Sequence, residues 1–234
     1  MKIFACDSTA KTASVALCED SILLAEFTQN GGNTHSETLL PMTEVLLNSM
    51  KTDIDEIDVF AVSEGPGSFT GVRIGAATVK GFAHRKDKPC IGVSTLEALA
   101  RNLAFGEDKI ILPVMDARRG QFYTAKFAFR SGKLDRIGED TPMSFEDFLE
   151  DVRALGERVY LCGDGYTPAR KLLGDELSYE TPEKLRYQSA YSVAQIAYEK
   201  YLAGDRTSAE ELRPTYLRLP QAERDRLNAE KLKG

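Results

Sequence analysis

Tryptophan is absent from the 234 residues, and histidine occurs only twice, at His35 and His84. Neither H-x-x-x-H nor H-E-x-x-H is present, and Leu39 stands where a second helical ligand would follow His35. A metal pair on one helix face is therefore excluded, and His35 is expected to hydrogen-bond near the start of a helix. Cysteine is also scarce: Cys6, Cys18, Cys90 and Cys162 lie mostly in apolar runs and form no C-x-x-C pair. That pattern predicts buried, reduced thiols in a cytoplasmic protein. An excess of positive charge is missing as well. The formal net charge of −6 excludes a protein that grips nucleic acid by bulk field alone. It allows a subunit of an assembly whose positive surface lies elsewhere. No apolar run is long enough to span a membrane. Only Ile3–Cys6 separates Lys2 from Asp7, so no signal peptide is expected.

Two nucleophile and phosphate motifs are missing in an informative way. Ser68 is followed by Phe69 and Thr70, so the G-x-S-x-G elbow is not formed. The stretch from Gly65 to Gly71 is followed by Val72, where a Walker loop carries lysine, and Arg73 is the lone basic candidate. What is present is a concentration of backbone-bending residues: Gly65, Pro66, Gly67 and Gly71, between an apolar run at Val59–Ser63 and a helical pattern at Ile74–Ala83. Two readings fit such a strand-to-helix junction. It cradles an anion at a helix N-terminus, or it lets two backbones pass closely. Paired carboxylates for acid–base work are not assignable; Glu64 and Asp7 are the candidates.

In chain order, Lys2–Cys6, Ala13–Cys18 and Ser21–Thr28 read as an antiparallel meander. His35–Met50 reads as a helix with Leu39, Met42, Leu46 and Met50 on one stripe, widened by Leu40, Val45 and Leu47. That apolar circumference exceeds what one sheet face needs. The helix after the glycine stretch carries Gly75 and Gly81, each costing about 1 kcal/mol against alanine, which is tolerable where another helix crosses closely. Cys90–Val93 is a strand, and Ser94 caps a helix over Thr95–Ala104. Ile110–Met115 then ends at Asp116, as the first strand ends at Asp7, and Gln121–Phe129 follows as one alternating strand. This echo predicts two related α/β halves. Helices are expected over Ser144–Ala154, Pro168–Leu173 and Ala190–Leu202, with a strand at Val159–Cys162. The boundaries expected are a first lobe at 1–105, a second at 106–217 and a charged tail at 218–234.

An ATP site of the actin and sugar-kinase kind would want glycines beside Asp7. Here the turn is Ser8-Thr9-Ala10-Lys11, and the second turn is Ala117-Arg118-Arg119, so Asp7, Ser8 and Asp116 mark degenerate phosphate turns.

Phe4–Thr9, His35–Pro41, Gly65–Gly75 and Pro113–Arg119 together resemble the TsaB (YeaZ) family. The resemblance implies an actin-like (ASKHA) α/β fold of two related lobes with mixed sheets. It implies a non-catalytic dimerisation subunit for making threonylcarbamoyladenosine on tRNA. The implied partners are a catalytic paralogue, TsaD, an ATPase, TsaE, and a second copy in isolation, with tRNA met mainly through the complex and no membrane. ATP and a metal ion are expected in the partner, with no cofactor in this chain. The family's dimer helices map to His35–Met50 and Gly71–Phe82, which places His35, Leu39, Met42, Leu46, Met50, Val72, Gly75, Val79 and Phe82 at the interface. Gly65, Gly67, Ser68, Thr70, Gly71 and Arg73 are the candidates for a residual nucleotide contact. The competing expectation is an ATP-dependent transferase or a glycoprotease-like metallopeptidase.

Overall fold

The computed structural model describes residues 1–218. Its first sheet begins with the expected meander, β1 (Lys2–Asp7), β2 (Ala13–Glu19) and β3 (Ile22–Gln29). Helix α1 (His35–Ser49) follows, then β4 (Val59–Gly65), α2 (Phe69–His84), β5 (Cys90–Ser94) and α3 (Thr95–Arg101). The strand order is β3-β2-β1-β4-β5; β1, β4 and β5 are parallel, β2 is antiparallel to its neighbours β1 and β3, and β3 therefore runs in the same direction as β1.

The second half repeats the plan. Strand β6 (Lys109–Asp116) is flanked by the antiparallel β7 (Gln121–Thr124) and the parallel β11 (Val159–Cys162). Between these lie β8 (Phe127–Arg130), β9 (Lys133–Arg136), β10 (Thr141–Ser144) and α4 (Phe145–Leu155). After β11 come α5 (Tyr166–Leu177), a two-residue parallel strand β12 (Ser178–Tyr179) and α6 (Ala190–Leu202). The central order β7-β6-β11-β12 matches β2-β1-β4-β5, which is the internal repeat of the actin-like fold.

Several local expectations shift. Helix α2 begins at Phe69 rather than Ile74, because Ser68 Oγ accepts from Gly71 N and caps it there. The single strand expected over Gln121–Phe129 is two. β7 pairs with the Val114–Asp116 end of β6 and β8 with its Lys109–Ile111 end. The break falls at Lys126, whose carbonyl leaves the ladder to accept Ile137 N and Gly138 N. Helix α5 is longer than Pro168–Leu173, running on to Leu177 across a kink at Gly174.

Five layers result. Helices α1 and α2 cover the outer face of the first sheet through Leu39, Leu46, Val79 and Ala83. Helices α4 and α5 cover the second sheet through Phe148, Val152, Ala169 and Leu173. Between the sheets, α3 sends Leu96, Leu99 and Ala100 toward the second sheet, against Ile111 and Phe127. The inner face of the first sheet, with Ile3, Ala5, Val59 and Ala61, is completed by α6 through Val193, Ile196 and Ala197. The part assigned to the second lobe, 106–217, therefore does not remain with the second sheet. Helix α6 returns to the first, and Thr207 exchanges backbone hydrogen bonds with Cys90 at 2.8 and 2.9 Å. Apolar burial forces this, since α3 alone leaves that inner face uncovered. Of the tail expected at 218–234, all but Arg218 lies outside the described residues.

All four cysteines are buried, unpaired thiols. Burial holds Cys18 at a pKa of about 12 and Cys90 at about 11, so neither is a ready thiolate.

Candidate functional site

Two surfaces concentrate the predicted residues: the cleft between the lobes and the outer face of α1 and α2.

In the cleft, the glycine stretch lies directly on the β1–β2 turn. Ser68 N donates to Thr9 O at 2.6 Å, and Ser8 Oγ donates to Gly71 O at 2.9 Å. A Cβ on Gly67 would stand 2.5 Å from Thr9 O, and one on Gly75 would stand 2.7 Å from Ser8 Oγ. Gly65 has φ +122, and a side chain there would meet Thr215 O. The glycines thus serve close backbone passage rather than an open phosphate cradle. Of the loop residues, Gly65 and Gly71 are buried, Gly67 is half-buried, and Ser68, Thr70 and Arg73 are exposed.

The degenerate turns are filled in the same way. Asp7 is fully buried. Its Oδ1 accepts from Thr9 N at 2.8 Å and Thr9 Oγ1 at 2.7 Å, and its Oδ2 accepts from Ser63 Oγ at 2.5 Å. Burial raises its pKa against these three donors. Asp116 accepts from Arg118 N at 2.7 Å and pairs with Arg118 Nη1 at 3.1 Å. The Glu64 carboxylate stands over Gly92, where a Cβ would collide with it. Glu64 and Asp7 therefore answer to different neighbours and do not make an acid–base pair. Among the described residues no cluster of three or more His, Cys, Asp or Glu is arranged to hold a metal ion. His35 Nε2 lies 2.6 Å from Ala10 O, so its ring is tied to the β1–β2 turn.

The outer helix face corrects the interface expected from sequence. Leu39, Leu46, Val72, Gly75 and Val79 are buried within the chain's own core. Met42, Met50 and Phe82 are half-buried against the same core. The reason is that helical periodicity selects the face turned to the sheet, and both stripes were that face. Apolar residues off those stripes point outward instead: Leu40 is 53% exposed and Val45 51% exposed. Leu40, Pro41, Leu47, Ile54 and Phe82 line a groove of about 380 Å³ between the helices. Beside it, Gly81 is exposed within α2 and a Cβ there would meet nothing within 4 Å. The signal for this face was present in sequence as the extra circumference carried by Leu40 and Val45.

The family model described as TsaD: tRNA N6-adenosine threonylcarbamoyltransferase matches residues 23–225 of this chain. A tRNA threonylcarbamoyladenosine biosynthesis protein TsaB from Bacillus subtilis is 30% identical, over 99% of this chain and 100% of its own length. The TsaB of Escherichia coli is 30% identical over 93% of this chain and 95% of its own. Among solved structures, YeaZ from Pseudomonas aeruginosa superposes with a TM-score of 0.79 at 24% identity, covering 92% of this chain and 99% of that one.

Proposed function

The chain belongs to the TsaB (YeaZ) family of tRNA threonylcarbamoyladenosine biosynthesis proteins, and from that premise we propose that it is a non-catalytic scaffold subunit. In this reading it binds and activates a catalytic paralogue, TsaD, for threonylcarbamoyl transfer to the adenosine next to the anticodon of tRNAs reading A-starting codons. It takes no nucleotide or metal of its own, and ATP and the metal ion belong to the partner. TsaE is the third component, and a second copy covers the docking face when the paralogue is absent. The work is done in the cytoplasm, where its tRNA is.

One observation carries the docking assignment: the exposed α1–α2 face joins Leu40, Val45 and an apolar groove to a bare Gly81. Exposed apolar surface favours a partner, and a glycine with open space above it lets a second helix approach closely. The enzyme reading has less support. Its carboxylate, Asp7, is consumed by Thr9 and Ser63. Its second histidine is Leu39, which is buried.

Co-purification with the paralogue, followed by an assay for modified adenosine in tRNA, tests the reading. The expected result is a heterodimer and modification that depends on this chain. Modification by the paralogue alone at the same rate would overturn it. Titration calorimetry with ATP and Mg²⁺ tests the enzyme alternative, which would be favoured by tight binding that Asp7→Ala abolishes.

A further inference from the structure

The cleft between the lobes carries a charge opposite to that of the chain as a whole. It encloses about 730 Å³. Lys11 enters it from the β1–β2 turn, Arg118 and Arg119 from the β6–β7 turn, and Arg218 from the returning C-terminal segment. Asp116 and Asp164 are the acids on its wall. Asp116 is matched by Arg118 at 3.1 Å. Asp164 Oδ1 accepts from Asp116 N at 3.0 Å. Among the described residues, Lys11, Arg119 and Arg218 have no carboxylate partner, in a chain whose net charge is −6.

The turn that presents the arginines is costly in backbone terms. Arg118 has φ 65 and Arg119 φ 57, both left-handed, and Gly120 completes the turn at φ 72. A left-handed residue with a side chain loses roughly 1–2 kcal/mol, which glycine at either position would relieve. The turn is held by Ala117 N donating to Gln121 O at 3.0 Å and by Phe145 N donating to Gly120 O at 3.0 Å. Strain retained where glycine would remove it points to a use for the two side chains. Arg218 is anchored across the same turn, donating from Nη1 to Ala117 O at 3.0 Å.

The chemistry suits phosphodiesters better than a metal-bound nucleotide. A magnesium nucleotide needs a free carboxylate and an open backbone cradle, and Asp7 and the glycine stretch are both spent on internal contacts. What remains is guanidinium and ammonium groups along an open trough. Singly charged phosphodiesters need no metal, and guanidinium matches their oxygens two at a time. Tyr216 lines the same wall, with one side of its ring against Phe69 at 4.7 Å between centroids and 41% of the residue exposed, which leaves aromatic surface for a base to stack on.

We propose that this cleft holds the phosphate backbone of an RNA strand. The inference rests on the tRNA-modification reading above, which makes that RNA the tRNA being modified.

The test is fluorescence anisotropy of a labelled unmodified tRNA, titrated with the full chain in complex with its catalytic paralogue at several salt concentrations. The Lys11→Ala/Arg119→Ala double variant is compared with Arg130→Ala/Lys171→Ala, which removes the same charge from exposed sites elsewhere. The expected result is affinity about tenfold or more weaker for the cleft variant, with a shallower dependence on salt by about two contacts, one for each cation removed. The control should bind like the wild type. Equal affinity of the two double variants would overturn the inference, as would ATP or pyrophosphate displacing the RNA from the cleft. The modified-adenosine assay separates the two levels. If the chain is needed for modification but the cleft variant binds tRNA like the wild type, only the cleft inference falls. If the chain adds nothing to modification, both fall.

Discussion

The carbonyl oxygen of Ser8 occupies the space that a side chain on Gly71 would take. The Ser8 hydroxyl closes the same contact by donating to Gly71 O at 2.9 Å. Gly71→Ala is therefore expected to destabilise the fold by about 1–3 kcal/mol, read as a lower urea midpoint. Gly81→Ala, in open space on the same helix, is expected to raise monomer stability by about 0.5–1 kcal/mol. A common direction for the two would mean that helix propensity, not the Ser8 contact, governs Gly71.

The two kinds of apolar residue on α1 should separate cleanly. Leu40→Glu and Val45→Glu are exposed changes and should leave thermal stability within about 0.5 kcal/mol. Both should abolish self-association in sedimentation velocity. Leu46→Ala removes a fully buried side chain and should cost about 2–5 kcal/mol of monomer stability. A Leu40→Glu protein that still sedimented as a dimer would remove α1 from the interface.

Asp7 gives a pH prediction. Burial raises its pKa in the fold above the ordinary 3.8, so folding favours the protonated carboxyl. Its contribution is most favourable below 3.8 and is lost as pH rises through the folded value. Asp7→Asn keeps an acceptor for Thr9 and has no proton to lose. The difference in melting temperature between Asp7→Asn and the wild type should therefore grow in the variant's favour from acid to neutral pH. A pH-independent difference would contradict the burial argument.

The lobes are tied by a small ionic network. Arg136 Nη1 donates to Asp140 Oδ1 at 2.5 Å and Nη2 to Glu97 Oε2 at 3.3 Å, while Ser94 Oγ donates to Asp140 Oδ2 at 2.7 Å. This pins the β9–β10 connection to the start of α3. Asp140→Ala leaves a half-buried guanidinium short of its partner and should cost about 1–3 kcal/mol. The exposed Lys133–Asp135 pair is screened by solvent, so breaking it by Asp135→Ala should leave stability nearly unchanged. Parallel chemical denaturation of the two variants checks the contrast.

Much of the fold was legible because the segments are short-range problems. The meander, the paired Asp7 and Asp116 turns and the caps at Ser94 and Ser144 follow from local patterning. Strands β9 and β10 were not legible, being four residues each with mixed exposure and no sustained alternation. The outer face of α1 and α2 was half legible. Periodicity marks both helices as apolar, but the stripe of Leu39, Leu46 and Val79 that marks them is the face turned inward.

The amino-acid sequence by itself determined the repeated α/β plan, the unmatched His35 and the missing phosphate-loop lysine, because each depends only on neighbours along the chain. Only the tertiary structure decided that the glycine stretch seals the Asp7 turn, and that α6 crosses back to the first sheet. It alone set Leu40 and Val45 outward and brought Lys11, Arg119 and Arg218 around one cleft. Periodicity reports that a segment has an apolar side. Which surface that side meets depends on backbone and side-chain contacts between residues far apart in the chain.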